Sequence, residues 1–116
     1  MREDGLNLND LRFNNSNRCQ EWTGHLNWTL ADKMTELCGE VGEAANVIKK
    51  LRRIETGAIG NTESQKNDLL SQLKDELGDI LICLDLVADA AGIDLSDATI
   101  GKFNKTSEKV GLEYKL

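Results

Sequence analysis

Leu37-Cys38-Gly39-Glu40-Val41-Gly42-Glu43-Ala44 and Leu73-Lys74-Asp75-Glu76-Leu77-Gly78-Asp79-Ile80 are two copies of one pattern, 36 residues apart in a chain of 116. Each copy holds two carboxylates three residues apart among apolar residues, with a glycine just before the second acid. Residues i and i+3 are neighbours on one face of a helix, so each copy displays a carboxylate pair. Two such pairs facing each other place four acidic donors around one small space. A hard divalent cation takes that kind of site.

Outward from these segments the apolar residues keep helical spacing, and no stretch reads as a strand. The chain contains no proline. A first helix is expected from Asn9 or Asp10 to about Trp22, ended by Gly24. Thr29 caps a second, running through Leu51 to about Ile54. Gly57-Ala58-Ile59-Gly60-Asn61-Thr62 breaks the periodicity and forms the main loop. A third helix covers Lys66 to Ala91 and stops at Gly92. Ser96 caps a fourth reaching Lys109, and the tail from Gly111 to Leu116 is less regular. The expected fold is all-α, a four-helix bundle formed by residues 1–116 as a single domain.

At about 100° per residue, Leu30, Met34, Leu37, Val41, Ala45 and Ile48 form one stripe of the second helix, the expected core face. Glu36, Glu40, Glu43, Val47 and Lys50 fall on its flank. The third helix repeats the layout with Leu70, Leu73, Leu77, Leu81, Leu84 and Ala88 as the stripe, and Glu76 and Asp79 placed like Glu40 and Glu43. Ile82, Cys83 and Leu86 lie off that stripe, so this helix is apolar nearly all round beyond Asp79. Such a helix needs partners on more than one side, which predicts a homo-oligomer.

Charged residues are 29 % of the chain and the net charge is −6. That composition disfavours wholesale disorder and a nucleic-acid-coating role. No apolar stretch follows Met1, and the longest apolar run, Ile80 to Leu84, is too short to span a bilayer. Cys19, Cys38 and Cys83 are widely spaced and odd in number, as expected of reduced core thiols in a cytoplasmic protein rather than a disulfide framework or zinc site.

An acidic run on one helix is ordinarily a solvated face. Here the pattern recurs, both copies border the core stripe, and the four acids have few basic residues among them. They would repel one another unless a cation neutralised them. The only histidine, His25, lies outside both segments, so the ExxH motifs of a di-iron bundle are missing. All-oxygen donors suit Mg²⁺ or Mn²⁺, and Mg²⁺ leaves positions for substrate phosphates. The residues alone point to metal-assisted hydrolysis of a phosphate compound. Lys50, on the flank of Glu43 two turns on, is the first candidate to meet the phosphates. Trp22 and Trp28, just upstream of the acidic helix, either stack on a base or pack the bundle. His25 between them has no evident partner.

Gly39-Glu40-Val41-Gly42-Glu43 followed by Asp75-Glu76-Leu77-Gly78-Asp79 resembles the signature of the MazG-like, all-α nucleoside triphosphate pyrophosphatases. Lys102-Phe103-Asn104-Lys105 and the residues to Lys109 are similar to that family's C-terminal element. The resemblance covers about Trp28 to Gly111. It implies a helical bundle assembled as a homodimer or homotetramer. It also implies hydrolysis of a nucleoside triphosphate to monophosphate and pyrophosphate, with Glu40, Glu43, Glu76 and Asp79 as Mg²⁺ ligands. Lys102 and Lys105 would then contact phosphates, and Asn104 the sugar or a phosphate. Two departures stand out. Many members carry a further acid where this chain has Gly39, and Glu36, one turn earlier on the same flank, is the candidate to replace it as the water-activating group. The gap between Glu43 and Glu76 is also long for the family. A phosphoribosyl-ATP pyrophosphatase is the rival within the same chemistry. A non-catalytic helical module binding metal or a partner is the rival outside it.

Overall fold

Among the described residues, four helices in chain order, α1 (Leu8–Glu21), α2 (Leu30–Glu55), α3 (Glu63–Ala90) and α4 (Leu95–Val110), make up the fold, and there is no strand. The computed structural model describes residues 5–22, 27–57 and 63–116. Gly24, His25 and most of the loop expected after Gly57 lie outside them.

The ends of the helices follow local chemistry. At the start of α2, Asp32 N–H donates to Thr29 Oγ1 (3.1 Å) and Thr29 N–H donates to Asp32 Oδ2 (3.0 Å). This reciprocal box satisfies two otherwise orphaned donors and is worth about 1 kcal/mol or more. Asn7 caps α1 by accepting from Asp10 N–H at 2.8 Å, so α1 begins slightly earlier than expected. Asp94, not Ser96, caps α4, accepting from Asp97 N–H at 3.1 Å. Both residues can cap, and Asp94 captures the first free amide because Leu95 already has helical backbone. Helices α3 and α4 end alike. Gly92 (φ 70°) and Gly111 (φ 74°) take the left-handed conformation, and Ile93 and Leu112 each return an N–H to a carbonyl five residues back, both at 2.8 Å. Only glycine enters that region without a Cβ penalty.

The chain divides into two compact units, Trp28–Leu84 in one, and Met1–Asn27 with Asp85–Leu116 in the other. Within the first, Leu37, Ala44, Val47, Leu51 and Ile54 of α2 are buried, as is Cys83 of α3. Leu69, Leu73 and Ile80 of α3 are half-buried. This corrects the expected core face of α2. Of the assigned stripe only Leu37 is buried, whereas Leu30, Met34, Val41, Ala45 and Ile48 are exposed. The inward face is rotated by roughly 90° on the helical wheel, towards Glu36 and Glu40. On α3 likewise, Leu70, Leu77 and Leu84 face solvent in the single chain. Each helix therefore carries two apolar columns, one buried and one open. The open ones, Met34/Val41/Ile48 and Leu70/Leu77/Leu84, keep a strict seven-residue spacing.

The second unit has a polar centre. Asp85 is fully buried. It accepts from Arg12 Nε at 3.0 Å and from Asn15 Nδ2, itself buried, at 3.1 Å. Arg12 also donates to the Ile93 carbonyl at 2.8 Å. A carboxylate removed from water in this way is tolerated because a charge and two hydrogen bonds replace its hydration.

Candidate functional site

Helix α2 delivers Glu36, Glu40 and Glu43 within two turns of one another, and α3 delivers Glu76, Asp79 and Cys83 on a matching arc. Cys83 meets Glu36, while Glu76 meets Glu40 and Glu43. Rising position on one helix thus pairs with falling position on the other, so the two run antiparallel.

Carboxylate oxygens of Glu40, Glu43 and Glu76 lie within 4.8 Å of one another. Glu40 and Glu76 are half-buried, whereas Glu43 and Asp79 are exposed. Asp79 is outside the 4.8 Å group, but its charge acts on both Glu40 and Glu76. The Glu40 carboxyl is pushed up from 4.5 to about 7. Burial is the largest cause, followed by the Glu43 charge, the adjoining Glu76 carboxyl and the Asp79 charge. Glu76 is also raised, first by burial and then by Glu43.

Glu40 Oε2 and Glu76 Oε2 are buried and receive no hydrogen bond from the described residues. Buried carboxylate oxygens facing one another without a donor are unfavourable as a pair of anions. A proton or a cation relieves them, and a donor set made only of carboxylate oxygens fits a hard divalent ion.

The other candidates are placed as follows. Glu36 is half-buried on α2, and its Oε1 lies 3.2 Å from Cys83 Sγ. Lys50 is exposed on α2, and Trp28, just before that helix, is 37 % exposed. Trp22 is the C-cap of α1 and lies under the Arg18 guanidinium, 5.8 Å from ring centroid to charge. Lys102, Asn104 and Lys105 sit together on α4, in the unit that contains Asp85. Lys102 lines an apolar groove of about 660 Å³ that includes Phe103 and Tyr114. The Asn104 side chain is already engaged, since its Oδ1 accepts from Leu116 N–H at 2.8 Å and its Nδ2 donates to Leu116 O at 3.2 Å. His25 lies outside the described residues.

Two features were not anticipated. Cys83 joins the acidic face, and the seven-residue column Glu76–Cys83 carried that signal. Arg12 and Asp85 pair across 73 positions, and a lone aspartate inside an apolar run was the only hint. Of the three free thiols, Cys38 is exposed, contrary to a core position for all of them. Among the described residues, no helix is long and apolar enough to cross a membrane.

A model of the MazG nucleotide pyrophosphohydrolase domain matches residues 29–110. No curated protein and no solved structure gives a match.

Proposed function

The chain belongs to the MazG nucleotide pyrophosphohydrolase family, and on that premise we propose that it hydrolyses a nucleoside triphosphate to the monophosphate and pyrophosphate, with Mg²⁺ as its cation. The convergence of Glu40, Glu43 and Glu76, with two buried oxygens that no donor among the described residues satisfies, carries this reading. Glu40, Glu43, Glu76 and Asp79 would hold the ion. When bound, it supplies positive charge that polarises phosphoryl oxygens and offsets charge building on them in the transition state.

The remaining roles belong to the chain's own groups. Glu36 takes the proton from the water that attacks the α-phosphorus, in place of the acid that Gly39 does not provide. Lys50, Lys102 and Lys105 neutralise the β- and γ-phosphates as point charges. Trp28 offers an indole face to the base, and Asn104 meets the sugar once its amide is released from Leu116. Residues 1–116 act as one catalytic domain of a cytoplasmic protein. The open columns Met34/Val41/Ile48 and Leu70/Leu77/Leu84 favour a homodimer or homotetramer, because paired seven-residue columns on antiparallel helices are the seam of a four-helix bundle.

Purified protein with Mg²⁺ is offered ribo-, deoxyribo- and damaged nucleoside triphosphates and phosphoribosyl-ATP, and pyrophosphate and monophosphate are quantified. Pyrophosphate release from a triphosphate supports the proposal. Turnover confined to phosphoribosyl-ATP selects the rival within the same chemistry. Orthophosphate would show that the wrong bond is cut, and no turnover at all would leave a binding module.

A further inference from the structure

Cys83 is 6 % exposed and faces α2 from the buried side of α3. Its Sγ lies 3.2 Å from Glu36 Oε1. Burial first, then the Glu36 carboxylate and the charges of Glu40 and Asp79, push the thiol up to about 12. The proton therefore stays on sulfur, and the thiol is the donor. Glu36 sits one turn before Glu40, half-buried, and the i, i+4 spacing keeps the two on one face.

We propose that Cys83 is a positioning residue that holds Glu36 as the base for the attacking water. The proposal rests on the hydrolytic reading above and adds to it a residue that neither the acidic motifs nor the family match assigns.

The choice of donor matters. A guanidinium, an ammonium or a set of backbone amides on Oε1 would stabilise the carboxylate strongly and weaken it as a base. A thiol is a weak donor, and at 3.2 Å from Oε1 it fixes the side-chain rotamer of Glu36. With Oε1 engaged, Oε2 is the oxygen left to accept a proton. In the step itself, a water O–H bond breaks and its proton passes to Glu36 Oε2. The water oxygen forms the new bond to the α-phosphorus. The bond from that phosphorus to the bridging oxygen breaks, and its electron pair leaves with pyrophosphate. No electrons are exchanged with any further reactant.

The test compares Cys83→Val, which keeps the bulk and removes the donor, with Cys83→Ser, which restores one. Glu36→Gln and the Glu36→Gln/Cys83→Val pair complete a double-mutant cycle. The nucleotide that wild type turns over fastest is the substrate. Glu36→Gln is expected to lower kcat roughly a hundredfold or more. Cys83→Val should lower it roughly tenfold, with KM and calorimetric Mg²⁺ affinity unchanged, because only orientation is lost. Cys83→Ser should recover most of the rate, and the double variant should be no slower than Glu36→Gln alone. Independently of turnover, the Raman S–H stretching band of Cys83, isolated by difference from Cys83→Ser, should move to higher frequency in Glu36→Gln.

Losses that multiply in the double variant, or an unchanged kcat in Cys83→Val, overturn the proposal while the hydrolytic reading stands. An S–H band indifferent to Glu36→Gln overturns it without reference to rate. A wild type that cleaves nothing overturns the reading beneath it and the proposal together. If circular dichroism shows Cys83→Val unfolded, Cys83→Ala carries the same comparison.

Discussion

Proton and cation compete for Glu40, and that competition can be measured. With its carboxyl pushed up to about 7, Glu40 is roughly one-eleventh ionised at about pH 6 and roughly ten-elevenths ionised at about pH 8. If the ionised form is the ligand, apparent Mg²⁺ affinity should fall about tenfold between those two conditions through this residue alone. Glu76 is raised as well, so the full effect should exceed tenfold. Isothermal titration calorimetry at constant ionic strength, repeated in buffers of different ionisation enthalpy, yields both the affinity and the protons released on binding. The Glu40→Gln variant should bind more weakly at the upper pH, and at about pH 6 it should release about one proton fewer on binding. The same shift fixes the sign for stability. A carboxyl whose folded value lies above its unfolded one favours folding below about pH 4.5, and that contribution is lost as pH rises through about 7. The cation-free protein should therefore melt at a higher temperature at about pH 5 than at about pH 8, and saturating Mg²⁺ should narrow the gap. Affinity independent of pH across this range, or an unaltered proton count in Glu40→Gln at about pH 6, would show that Glu40 is not where proton and cation compete.

Four further outcomes are expected. Glu43→Gln and Asp79→Asn should each abolish Mg²⁺-dependent turnover with helicity by circular dichroism intact; retained activity in both would mean the cation is held elsewhere. Asp85→Ala removes the buried half of the ion pair and leaves Arg12 with the Ile93 carbonyl and, 3.9 Å away, Asp89, so urea unfolding should register a loss of about 3 kcal/mol, the low end for breaking a buried pair. Leu77→Glu puts a charge on the open column of α3, where the side chain is 54 % exposed. It should reduce the mass seen by sedimentation equilibrium and leave the helical spectrum unchanged. Gly39→Ala fills open space within α2, since no described residue outside the helix's own backbone comes within 4 Å of an added Cβ. Removing a mid-helix glycine should raise stability by roughly 0.5–1 kcal/mol.

How much of this was legible beforehand differs from residue to residue. The four helices, the Thr29 cap and the stop at Gly92 follow from local chemistry, which a sequence displays directly. The acids were legible as columns because helical spacing fixes their angular positions. Which way those columns point was not. Helix α2 carries two apolar columns, Met34/Val41/Ile48 and Leu37/Ala44/Leu51, and hydropathy alone cannot rank them. Packing within the chain selects the second, which turns Glu36 and Glu40 inward and leaves the first outside. Contacts remote in sequence were hidden for another reason. Nothing near Asp85 names Arg12 as its partner, and nothing near Asn104 names Leu116, because each pairing exists only once the chain has turned back on itself.

The three thiols differ enough in exposure to gauge opening motions. Cys38 is exposed on α2, Cys19 is half-buried on α1, and Cys83 is buried against the acidic face. An alkylating reagent should modify Cys38 promptly. It can reach Cys83 only when the unit around it opens, so the lag between the two labels measures the free energy of that opening. Cys38 lies two residues before Glu40, which places the internal clock and the protected thiol in the same unit. The chain thus carries its own breathing gauge, and adding cation or nucleotide while the slow label is followed would report how tightly each one closes the acidic face.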